Sequence, residues 1–93
     1  MASYRIFETD AFRHHLARIA RSGLSRLTDK LQEHVYPQLR SEPHFGPHIK
    51  RLKDWKPPTW RYRIGSWRFF YEINERERIV SMTTADHRSS AYR

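Results

Sequence analysis

Three arginines stand around one tight turn in the stretch RYRIGSWRFFYEI, residues 61–73. Arg61 and Arg63 precede Gly65-Ser66, and Arg68 follows it. A guanidinium offers a planar fork of N–H donors that matches a phosphate or carboxylate, and it stays charged at any physiological pH. Three of them in one place suit a bound polyanion, or the charge that builds on a phosphorane during phosphoryl transfer. They do not suit proton abstraction, because a guanidinium pKa of about 12.5 or above leaves almost no free base near neutrality.

The turn fixes how these side chains share space. A two-residue hairpin turn, type II′ with Gly65 first, pairs Ile64 with Trp67, Arg63 with Arg68, Tyr62 with Phe69, Arg61 with Phe70 and Trp60 with Tyr71. Directly opposed residues share a face. One face collects Trp60, Tyr62, Ile64, Trp67, Phe69 and Tyr71, which must pack on a core. The other collects Arg61, Arg63, Arg68 and Phe70, with Glu72. Opposed like charges destabilise a sheet, so Arg63 against Arg68 needs an offsetting reason. A bound phosphate supplies one; relief by Glu72 and solvent is the alternative. Phe70 amid the arginines offers a platform for stacking a nucleobase, or else fills space under the C-terminal tail.

The overall charge points the same way. Eighteen Lys and Arg against ten Asp and Glu give +8, and fourteen of the eighteen are Arg. Nucleic acid or an acidic protein segment is the expected partner. Lys50, Arg51, Lys53 and Lys56 precede the hairpin with only Asp54 opposing them, and could grip RNA phosphates or lie in a solvated loop. No metal site is expected. His14 and His15 are adjacent on a helix and diverge by about 100°, and His44 and His48 lie in a proline-rich loop without paired carboxylates. There is no cysteine, which excludes disulfides and thiolate ligands and fits a reducing cytoplasm. The N-terminus lacks the apolar run of a signal peptide, and no apolar run approaches the roughly 20 residues of a membrane span.

The elements that must hold the arginines can be read from spacing. Ninety-three residues are enough for one domain, residues 1–93. SYRIFE alternates as a strand, and Thr9 or Asp10 then caps a helix carrying Phe12, Leu16 and Ile19, stopped by Ser22-Gly23. A second helix from about Ser25 carries Leu24, Leu27, Leu31 and Val35 and ends at Pro37. Residues 37–59 hold all five prolines and read as loop, with Leu52 anchoring it to the core. The hairpin follows, then a strand over roughly 78–84. The order β-α-α-β-β-β predicts an α+β fold, two helices packed on one face of a curved, mainly antiparallel, four-stranded sheet.

That order, with IKRLKD before the hairpin, RYRIGSWRFFYEI within it and HRSSAY near the end, resembles the RelE/ParE superfamily of bacterial and archaeal toxins across nearly the whole chain. The resemblance implies a microbial-ribonuclease-like fold. It also implies, for RelE-type members, ribosome-dependent cleavage of mRNA in the A site, without metal or other cofactor, by attack of the ribose 2′-OH on the adjacent phosphate. ParE-type members instead poison DNA gyrase and cut no RNA. Arg61 and Arg63 stand at the superfamily's basic pair, where Lys is common, Arg68 at the Arg after the turn, Arg88 at the C-terminal basic position with His87 beside it, and Tyr92 at the terminal Tyr. This set favours the ribonuclease reading. With Arg at both 61 and 63, and Lys50 where one branch carries a catalytic Glu, the base must come from elsewhere; the resemblance makes His87 the candidate for one proton-transfer role, since histidine titrates near pH 6.5, the alternative being a strand-end residue hydrogen-bonded to backbone. Tyr92 would orient the base or assist, and Arg88 would bind phosphate. The implied partners are an acidic, RelB-like antitoxin, the ribosome and mRNA, with operator DNA reached only through the antitoxin complex.

Overall fold

A computed structural model describes residues 3–87. Strand β1 (Arg5–Glu8) leads into helix α1 (Asp10–Arg21). Thr9 is the cap. Its Oγ accepts from the Phe12 N–H at 3.2 Å and donates to the Met82 carbonyl at 2.9 Å, so one hydroxyl both starts the helix and ties it to the last strand. Asp10 in the first turn and Arg18 and Arg21 in the last complement the helix dipole. The helix closes as the Ser22-Gly23 pair predicts. Gly23 takes φ +91°, and the N–H groups of Gly23 and Leu24 bond back to the Ala20 and Ile19 carbonyls, the 5→2 and 6→1 pattern that favours glycine.

The second helical run is longer than expected. Helix α2 (Ser25–Lys30) passes through a wide π turn (Leu31–Val35) into helix α3 (Tyr36–Ser41). Pro37 therefore does not end it. A proline inside a regular helix removes one N–H and clashes with a carbonyl one turn back. Here the Tyr36 N–H bonds to the Leu31 carbonyl, five residues earlier, so the wide turn comes just before Pro37 and makes it a first-turn residue of α3.

Among the described residues the sheet has five strands, not four, in the order β1-β5-β4-β3-β2. The fifth is β2 (Ile49–Arg51), inside the segment read as loop, pairing antiparallel with β3 (Trp60–Ile64). Residues 48–56 lie between Pro47 and Pro57 and contain no proline, which leaves room for a short edge strand. Ile49 and Leu52 are both half-buried, but it is Ile49 that packs against the core cluster, so Ile49 is the anchor. Strands β3 and β4 (Trp67–Asn74) pair in the expected register, Ile64 with Trp67 through Trp60 with Tyr71. Gly65 alone of the two turn residues has positive φ, +57°, as type II′ requires. Strand β5 (Ile79–His87) runs antiparallel to β4 and parallel to β1, so the sheet is mixed. The helices cover one face, enclosing Phe12, Leu31, Val35, Leu39, Phe69, Tyr71, Val80 and Met82. Tyr71 is fully buried and donates to the Pro43 carbonyl at 2.6 Å, fixing the loop after α3 beneath the sheet.

Candidate nucleic-acid interface

Pleating sends alternate residues to opposite faces, so the face of β3 and β4 away from the helices carries Arg61, Arg63, Arg68, Phe70 and Glu72. Lys50 on β2 lies beside Arg61 in register and adds a fourth cation. Arg61 is half-buried, and among the described residues its Nε has no hydrogen-bond partner. Burial, then the charges of Arg63 and Arg68, pull its pKa below the usual guanidinium value. The group remains a cation near neutrality, held where a cation is disfavoured. Arg63 is exposed and donates from Nε to the Gly65 carbonyl at 3.1 Å.

Arg68 is held by an acid from outside the hairpin, on β5. Its Nε and Nη2 donate to Asp86 Oδ1 and Oδ2 at 3.1 and 3.4 Å, a fork on a carboxylate. Asp86 reaches this face because the β4–β5 ladder carries a bulge at Phe70/Tyr71. An unbroken ladder from Asn74–Ile79 would oppose Arg68 to Ala85 and send His87 to the arginine face. The extra residue, Thr83, inverts that parity: Arg68 opposes Asp86 and Trp67 opposes His87. The Thr83 hydroxyl bonds to the Phe70 carbonyl at 3.2 Å.

The bulge separates His87 from the arginines. Its ring lies edge-on to Trp67 at 5.3 Å, on the helix side of the sheet, beside a cavity that His15, Arg18 and Ser22 of the α1 end also line. Two other expected contacts also differ. Phe70 is 7% exposed, because Trp55 of the 52–58 loop stacks on it at 5.7 Å with the rings 12° apart; it offers no open platform. Arg51 opposes Trp60 and sits over its ring at 5.3 Å, which turns it to the helix side. Lys53 and Lys56 are exposed on the loop. Arg88 and Tyr92 lie outside the described residues. Among the described residues no group of three or more His, Asp or Glu could hold a metal ion, and no helix is long and apolar enough to cross a membrane.

A family model described as the ParE toxin of type II toxin–antitoxin system, parDE, matches residues 6–92. The chain belongs to that family. Its fold is similar to solved toxin–antitoxin complexes: RelBE2 from Mycobacterium tuberculosis (TM-score 0.70, 23% identity, covering 96% of this chain and 95% of that one), RelE–RelB from Pyrococcus horikoshii OT3 (0.56, 20%, 95% and 97%) and RelB–RelE from Methanococcus jannaschii (0.59, 18%, 92% and 94%). No match is found among curated protein sequences.

Proposed function

We propose that this toxin is a ribosome-dependent mRNA endonuclease whose arginine face clamps the scissile phosphate. The observation that carries the reading is Arg61: a half-buried guanidinium with an unpartnered Nε, beside two further arginines. An anion would complete its hydrogen bonding and cancel the repulsion at once. In the reaction the ribose 2′ oxygen bonds to the adjacent phosphorus, the bond to the 5′ oxygen breaks, a base takes the 2′ proton and an acid supplies one to the leaving oxygen. Arg61, Arg63 and Arg68 would stabilise the phosphorane; Lys50, Lys53 and Lys56 would hold flanking phosphates, while Arg51, over the Trp60 ring on the helix side, is given no phosphate. Proton transfer is assigned to Tyr92, with Arg88 on phosphate. His87 packs on Trp67 across the sheet and is given no role at the phosphate. An acidic RelB-like antitoxin would be the natural partner, steered by the +8 charge.

The family model favours a second reading, a ParE-type inhibitor of DNA gyrase without nuclease activity. Mapping mRNA 5′ ends after brief induction separates the two. Discrete cuts within translated codons support the nuclease. Growth arrest without cuts, accompanied by gyrase-linked DNA breaks, replaces it with the gyrase inhibitor.

A further inference from the structure

On the same face, we propose that Trp55 forms a subsite that stacks one unpaired nucleobase next to the phosphate clamp. The inference rests on the RNA-binding reading above and adds to it what holds the base. Trp55 is 51% exposed although one face of its indole lies on Phe70, so the open half is the side turned away from the sheet. The loop that carries it is tied down. The Leu52 N–H bonds to the Thr59 carbonyl at 2.9 Å, closing the loop at its base, and the Thr59 hydroxyl donates to the Pro57 carbonyl at 2.9 Å. Asp54, just before Trp55, takes a left-handed φ of +64°. The ring is thus presented in one orientation, parallel to Phe70, with the Arg68 guanidinium 5.7 Å from the same Phe70 ring.

A lid that served only to cover Phe70 could be a smaller side chain with less apolar surface left in water. An exposed indole among cations has the two parts of a single-strand binding surface: a planar ring that accepts any base, and positive groups spaced along a backbone path. Lys53 and Lys56 flank Trp55 on its own loop, and Lys50, Arg61 and Arg68 lie on the sheet beneath. A base on Trp55 continues the existing stack outward while its phosphates meet the arginines. Stacking of this kind raises affinity about 5- to 150-fold per base.

The test is binding of a short, labelled 2′-O-methyl RNA, which lacks the attacking hydroxyl, to the full chain by fluorescence anisotropy. The same strand with a single abasic position moved along it completes the comparison. Wild type should lose about tenfold at one abasic position. Trp55→Ala should bind the intact strand about as weakly as wild type binds the abasic one, with no further loss at that position, and Trp55→Phe should recover part of the affinity. Equal binding of intact RNA by Trp55→Ala and wild type would overturn the stacking subsite alone, provided Arg68→Ala still weakens binding. Equal losses by Trp55→Ala on intact and abasic strands would also overturn it, as damage to the loop. No binding by wild type at millimolar RNA would overturn the RNA reading and the subsite with it.

Discussion

Arg61 and Arg68 are treated in opposite ways by their surroundings, and the difference separates structure from function. Arg68 has a carboxylate partner in Asp86; Arg61 has none at Nε and two like charges nearby. Asp86 answers in part the cost of setting Arg63 against Arg68, the part the sequence assigned to Glu72 or to phosphate. Side-chain exposures of 20% and 36% put the Arg68–Asp86 pair near the upper end of surface ion pairs, about 0.5–1 kcal/mol. Asp86→Ala should therefore lower the melting temperature by a few degrees, since about 1 kcal/mol corresponds to 4–8 °C in a domain of this size; calorimetry reads it. His87→Ala should leave RNA cleavage within about threefold of wild type, because its ring packs on Trp67 across the sheet. A loss of a hundredfold in a cleavage assay would return His87 to the chemistry. The identity of the arginine face was legible from the turn alone, because a two-residue loop dictates register. Asp86 was not, because no local pattern marks the bulge that delivers it.

At the scale of elements, what was readable followed from short-range rules. The Thr9 cap, the Gly23 stop, the Gly65 turn and the alternating apolar face each depend on a few neighbouring residues, and each was found as expected. What was missed depends on long-range pairing. Strand β2 exists because β3 offers it an edge, and the π turn accommodates Pro37 within a helix held by the core. The loop between α3 and β2 is fastened by a further long-range cluster. His44 bonds through Nδ1 to Glu42 at 2.9 Å and through Nε2 to Glu75 at 2.5 Å, while the Tyr4 hydroxyl donates to Glu75 at 2.8 Å. Burial lowers the His44 pKa, but the bonds to Glu75 and Glu42 outweigh it, and the net shift is upward. Glu42 and Glu75 are held below their usual value of 4.5, chiefly by their hydrogen bonds with His44. The signs define a window. The histidine contribution is complete below about pH 6.5 and fades as pH rises through its raised value. The carboxylate contributions are complete above about pH 4.5 and fade as pH falls through their depressed values. Denaturant titrations should find this clamp strongest between those limits. His44→Gln should cost about 1 kcal/mol at pH 6 and much less at pH 9; an equal cost at both would mean that the charge on His44 contributes nothing.

For the whole molecule, the sheet acts as a wall with different duties on its two sides. The helix side buries the aromatics that hold the fold, and the other side gathers like charges, one of which, Arg68, is held by Asp86. With the scissile phosphate on the arginines and three flanking phosphates on Lys50, Lys53 and Lys56, RNA affinity should fall with a log–log salt slope near −3, a loss of roughly 50-fold between 50 and 200 mM salt; a flat salt response would remove phosphate from the site. The +8 charge made a polyanionic partner legible from composition, but composition does not choose between RNA and an acidic protein, nor between a nuclease and a gyrase inhibitor. The most direct test of the phosphate clamp is Arg61→Gln, assayed by primer extension on cellular mRNA after brief induction and by thermal unfolding of the purified protein. Removing a repelled, half-buried cation should leave stability within about 0.5 kcal/mol of wild type or raise it, while the discrete cuts in translated codons fall at least tenfold. Cuts at wild-type intensity in a folded Arg61→Gln protein would contradict the clamp and leave the arginine face to another partner.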